Sequence, residues 1–171
     1  MADEGSTQGP AAPLATAPAP EGEPGEAPPA VSVAIVPAEA PEAAPGRIRV
    51  ALVDDHVVVR QGLASLLRQQ KHIQIVGEAS DGESAVELIR RLRPDVVLMD
   101  VTMPGIGGIE ATRIAHAECP EVRIIGLSMH DDSDVGRQMR QAGAVAYVAK
   151  SGPSDAILNA ILACHPPCSP E

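Results

Sequence analysis

The stretch Val96-Val97-Leu98-Met99-Asp100-Val101-Thr102-Met103-Pro104-Gly105 decides the fold. Four apolar residues in succession end on a carboxylate, and a Pro-Gly pair soon breaks the chain direction. A continuous apolar run of this length, bounded by turn residues, fits a strand buried on both faces of a parallel sheet. An acid at the exit of such a strand is costly, because desolvation penalises its charged form. The run Ile48-Arg49-Val50-Ala51-Leu52-Val53 closes in the same way on Asp54 and Asp55. Two later runs close on Ser128 and Lys150. Five polar groups at the ends of apolar runs point to one site.

Working outward, five short apolar runs alternate with five amphipathic stretches. The strands are expected at 48–53, 73–78, 95–99, 123–128 and 145–149, and the helices at about 57–70, 82–92, 107–117, 133–142 and 154–164. Ser80 with Glu83 three residues on predicts a capping box for the second helix. Asp131 and Asp132 are cap candidates for the fourth, and Gly143 is its expected C′ glycine. The pattern is (βα)5. Right-handed crossovers make it an α/β fold, a flavodoxin-like doubly wound parallel sheet of strand order 2-1-3-4-5. That order puts strands 1 and 3 side by side at the switch point, with Asp54, Asp55 and Asp100 on their C-terminal ends.

Composition divides the 171 residues in two. Residues 1–46 hold ten Pro, thirteen Ala, seven acids and no Lys or Arg, which predicts a disordered acidic tail or linker. Its one apolar island, Val31–Val36, reads as a patch in a linker that could alternatively add to a sheet edge. Residues 47–165 form the expected globular domain, and 166–171 a short C-terminal tail. Of the net charge of −10, the first 46 residues carry −7 and the rest −3, so no basic footprint for nucleic acid is expected. The N-terminus has no basic region followed by a long apolar stretch, so neither a signal peptide nor a membrane span is expected. Cys119, Cys164 and Cys168 are an odd, sparse set, fitting reduced thiols in the cytoplasm. Cys164, His165 and Cys168 lack a fourth ligand for a metal clip. His56 and His130 read as exposed loop histidines.

Three converging carboxylates repel one another by about 3 kcal/mol per pair at roughly 5 Å and an effective dielectric near 20. A cation must offset that, and Mg²⁺, which takes carboxylate and phosphate oxygens, is the natural one. Lys150 offers a second positive charge and Ser128 a hydroxyl. A carboxylate nucleophile with a metal, an ammonium and a hydroxyl can form an aspartyl phosphate. No G-x-x-x-x-G-K-[ST] loop or G-x-G-x-x-G turn is present, and Asp100-Val101-Thr102 does not continue as the D-x-D-x-T of a haloacid-dehalogenase-type phosphatase.

Five segments together resemble the receiver domain of two-component response regulators, closest to the nitrate-regulator type. They are Val53-Asp54-Asp55-His56; Leu98-Met99-Asp100-Val101-Thr102-Met103-Pro104; Gly107-Gly108-Ile109-Glu110-Ala111; Leu127-Ser128-Met129-His130; and Ala142 through Lys150. The resemblance covers about residues 47–164. It implies Asp100 as phosphoacceptor and Mg²⁺ (or Mn²⁺) held by Asp54, Asp55, Asp100 and the Thr102 carbonyl. Ser128 and Lys150 would contact the phosphoryl oxygens. Ser128 and Tyr147 would form the switch, read out on the face of helix 4, strand 5 and helix 5. Thr102 and His130 stand where side chains tune the phosphoryl lifetime. The donor would be a sensor histidine kinase or histidine phosphotransfer protein. Val57 replaces the proline common at that position, and Ser151 follows Lys150 where many receivers have a cis proline.

The expected protein is therefore a phosphoacceptor in a two-component phosphorelay, not an enzyme in its own right. It would be cytoplasmic, off the membrane, and a monomer or weak homodimer. The chain ends soon after helix 5, so the expected output is protein contact, with no nucleic-acid partner and no DNA-binding output domain. The chain could also be the receiver of a hybrid sensor kinase. The alternatives are a degenerate, unswitched receiver serving as an interaction module, and a small metal-dependent phosphatase.

Overall fold

A computed structural model of the chain describes residues 46–129 and 133–164. The predicted tail and its Val31–Val36 island lie outside the described residues, as do His130, Asp131, Asp132, His165, Cys168 and the 166–171 segment. Five strands alternate with five helices: β1 (Ile48–Val53), α1 (Val57–Arg68), β2 (Ile73–Ala79), α2 (Gly82–Leu92), β3 (Val96–Asp100), α3 (Gly107–Glu118), β4 (Arg123–Ser128), α4 (Ser133–Gln141), β5 (Ala146–Ala149) and α5 (Ser154–Cys164). All strand pairs are parallel, in the order β2-β1-β3-β4-β5. This is the expected doubly wound sheet.

The apolar-through strands are the central ones. β3 is buried at every position, while the edge strand β5 is half-buried throughout. Period-two alternation divides the core into two layers. Val50, Leu52, Val96, Leu98, Ile125 and Leu127 face α1 and α5, where Leu67, Ile157 and Ile161 pack against them. Ala51, Val53, Val97, Met99 and Ile124 face the other way, onto Ile89 of α2, Ala111 and Ala115 of α3 and Met139 of α4. Each fully buried Leu or Ile contributes about 2 kcal/mol of transfer free energy. Among the described residues it is the helices that cover these faces.

Two details of the caps differ from expectation or complete it. α2 starts from Asp81, whose Oδ1 accepts from the Ser84 backbone N–H at 2.8 Å and whose Oδ2 accepts from the Ser84 hydroxyl. Ser80 is thus one residue too early to cap, and the expected Ser80–Glu83 box is replaced by an Asp81–Ser84 pair. Carboxylates cap as well as hydroxyls. Glu83 instead lies against Gly105, where an added Cβ would meet its Oε2 at 2.6 Å. α4 ends as expected on Gly143, with φ +112°. The Gly143 N–H donates to the Arg140 carbonyl and the Ala144 N–H to that of Met139, closing a Schellman motif. No peptide bond among the described residues is cis, the Lys150–Ser151 bond included. No helix among them is long and apolar enough to cross a membrane.

Candidate phosphoacceptor site

Parallel pairing delivers four strand ends to one edge of the sheet. Asp100 is the last residue of β3, and Ser128 the last of β4. Asp54 and Asp55 follow β1, and Lys150 follows β5. Main-chain bonds lock these ends together. The Asp54 N–H donates to the Ala79 carbonyl of β2, Val101 to Leu127, and Lys150 to Ser128 at 2.6 Å.

The side chains then meet. Lys150 Nζ lies 2.6 Å from Asp54 Oδ2 and 3.0 Å from Asp100 Oδ1, and its side chain is only 5% exposed. Asp54 and Asp100 are 1% and 2% exposed. The cation between these two carboxylates is therefore the Lys150 ammonium, closer in than a contact reserved for a phosphoryl group. Asp100 Oδ1 also accepts from the Thr102 N–H at 3.3 Å. Burial pushes the Asp100 carboxyl above its ordinary range, and the Lys150 contact opposes that shift without cancelling it. Asp100 Oδ2 is buried with no hydrogen-bond partner among the described residues.

Three carboxylates and one ammonium leave two negative charges uncompensated. Asp54, Asp55, His56 and Asp100 each offer a ligand atom, all within 4.8 Å of one another. At that separation a carboxylate pair still repels by about 3 kcal/mol at an effective dielectric near 20. The residues fit a divalent ion with oxygen ligands: the charge is missing, and a buried carboxylate oxygen lacks a partner.

Two participants escape the sequence reading. His56 is exposed as expected, but its Nδ1 is turned to the acids, 2.8 Å from Asp55 Oδ1 and 3.5 Å from Asp54 Oδ1. Arg60, one turn into α1, donates from Nη1 to the Asp54 carbonyl at 2.5 Å and from Nε to Glu78 at 3.2 Å. It ties the β1–α1 loop to β2. The signal was available in outline, since a residue six beyond Asp54 returns along α1 towards the neighbouring strand. Asp54 does not cap α1. The N-cap is His56, and Asp54 Oδ1 accepts from the His56 N–H at 2.9 Å.

Ser128 is buried beside Lys150 in chain pairing. The Tyr147 ring lies between β4 and α4. An ideal Cβ on Gly126 would lie 3.3 Å from its Cδ2, and one on Gly136 3.0 Å from its Cδ1. Two glycines thus make the slot that this ring fills.

A (βα)5 sheet with an acidic pocket at the ends of its central strands defines a class, and comparison with known proteins places the chain within it. The family model described as the response regulator receiver domain matches residues 50–162. The response regulator UvrY of Escherichia coli strain K12 is 46% identical over 114 residues, 67% of this chain and 52% of that protein. The transcriptional regulatory protein DegU of Brevibacillus brevis is 36% identical over 115 residues, 67% of this chain and 49% of that one. The signal receiver domain of NarL from Mycobacterium tuberculosis superposes with a TM-score of 0.67 at 34% identity, covering 70% of this chain and 97% of that domain. The chain belongs to the response regulator receiver domain family of two-component systems.

These relatives correct one expectation. The chain spans about half the length of the curated relatives it matches, and DegU is by name a transcriptional regulatory protein. The expected output without nucleic acid or a DNA-binding domain is overturned. The charge of a receiver surface carries no information about the output of the protein in which it works.

Proposed function

We propose that Asp100 accepts a phosphoryl group from the phosphohistidine of a sensor kinase or histidine phosphotransfer protein. One observation carries this reading: in a cluster of three acids, a buried carboxylate has an ammonium 3.0 Å from one oxygen and no hydrogen-bond partner on the other. A carboxylate oxygen of Asp100 attacks phosphorus, the P–N bond to the donor imidazole breaks, and its electron pair returns to the imidazole. Lys150 neutralises charge on the transferred group by moving from a carboxylate oxygen to a phosphoryl oxygen. Ser128 donates its hydroxyl to another. Asp54, Asp55, Asp100 and the Thr102 carbonyl would hold Mg²⁺ (or Mn²⁺). The chemistry it supplies when bound is neutralisation of the acids and of the phosphoryl oxygens.

In this reading residues 47–165 are the receiver, 1–46 an acidic tail or linker, and Ser128 with Tyr147 the switch. The setting is cytoplasmic, supported by the free thiols of Cys119 and Cys164. The test is incubation with acetyl phosphate and Mg²⁺, followed by peptide mass spectrometry. We expect one phosphoryl adduct on the peptide carrying Asp100, lost with EDTA and in Asp100→Asn. Persistent labelling of that variant would overturn the assignment.

A further inference from the structure

We infer that His56 is a metal ligand, so that the acidic pocket takes a borderline divalent transition ion in addition to a hard one. The inference rests on reading the pocket as a metal centre and goes beyond it by adding a nitrogen donor. The side chain of His56 is 61% exposed and could turn anywhere, yet its Nδ1 lies within 3.5 Å of both Asp54 and Asp55. The main chain of the same residue is fixed on the pocket by the hydrogen bond from its N–H to Asp54 Oδ1. With Asp100, four donors from four residues lie within 4.8 Å of one another. A second observation points to a ligand: the Asp100 carboxylate is 2% exposed and its Oδ2 is buried with no hydrogen-bond partner among the described residues.

Chemistry then selects the ion. Three carboxylates alone suit Mg²⁺, Ca²⁺ or Mn²⁺, whereas an imidazole among them favours the zinc-like metals, which bind nitrogen more strongly. Three carboxylates and an imidazole are a full tetrahedral set for Zn²⁺. The partly exposed Asp55 and the exposed His56 leave an open approach from solvent. Outer contacts already orient the ligands, with Lys150 on Asp54 and Asp100 and Arg60 on the Asp54 carbonyl. Ligation requires Nδ1 without its proton, and that proton goes to water or to Nε2.

The test uses the full chain, with Zn²⁺ alone and Mg²⁺ alone as probes, in titration calorimetry and in long-range ¹H–¹⁵N spectra of the histidine rings. In the wild type, stoichiometric Zn²⁺ should shift the His56 Nδ1 resonance. His56→Gln should lower the Zn²⁺ affinity at least tenfold more than the Mg²⁺ affinity. An unmoved Nδ1 resonance, or an equal effect of His56→Gln on both ions, overturns the inference. The spectra of the wild type decide alone if the variant misfolds. Failure here is separable from failure of the phosphoacceptor reading, because labelling of Asp100 with Mg²⁺ and acetyl phosphate needs no transition ion.

Discussion

Asp100 is the residue at which burial and charge conflict. Its folded carboxyl titrates above the ordinary range because it is buried, and Lys150 only partly offsets this. Between the ordinary and the raised value the folded protein holds more protons than the unfolded chain. Stability therefore falls as pH rises through that window, and the contribution is complete only below the ordinary carboxylate range, near 4. In EDTA, Asp100→Asn should be more stable than the wild type at pH 7, by about 1 to 3 kcal/mol, since it removes one of three mutually repelling carboxylates. Lys150 keeps Asp54 as its partner in that variant. The gap should close on acidification towards pH 3 and also shrink when millimolar Mg²⁺ is added. Thermal melts across pH check this; a variant less stable than the wild type at pH 7 in EDTA would refute it.

At the scale of elements, the β3–α3 connection brings two stretches of backbone into close contact. Gly108, in the first turn of α3, stands so close to β3 that an added Cβ would lie 1.9 Å from the Asp100 carbonyl oxygen. Its N–H donates to the Val101 carbonyl at 3.1 Å. Backbone cannot give way as a flexible side chain does, so Gly108→Ala should cost about 3 kcal/mol. It should also slow labelling of Asp100 by acetyl phosphate, because the strand end must move. Denaturant melts with a parallel labelling rate test both, and an Ala variant of unchanged stability would contradict the close approach. This glycine was legible in the sequence only as part of the Gly107-Gly108-Ile109 segment. The strands themselves were legible to within a residue, because β1, β3 and β4 are buried on both faces over most of their length and read as apolar runs broken only by Arg49 in β1 and the leading Arg123 of β4. The site followed from them, since parallel strands deliver their final residues to one edge. Contacts made by side chains that reach sideways were not legible: Lys150 lodged between Asp54 and Asp100, His56 turned inward, and Arg60 bridging to Glu78. Spacing along a chain carries no rotamer, and each of these depends on one. The α2 cap was misplaced for a related reason, as Ser80 and Asp81 are both competent caps and the helix started from the second.

Across the whole molecule, residues as far apart as Asp54 and Lys150 contribute to one pocket, so the pocket exists only when the four strands that carry it, β1, β3, β4 and β5, are in register. On the proposed reading, reactivity towards acetyl phosphate would be a property of the fold rather than of any segment. The same long-range assembly places Tyr147 in its slot between Gly126 of β4 and Gly136 of α4, and the chain contains no Trp and no Phe. All aromatic absorption and emission of the protein therefore comes from one ring, at the joint between a sheet edge and a helix. Its near-ultraviolet signal is an optical probe of that joint that needs no label. Addition of Mg²⁺ and acetyl phosphate should alter the tyrosine emission of the wild type and leave that of Asp100→Asn unchanged. Identical spectra before and after verified phosphorylation would mean that Tyr147 takes no part in the switch.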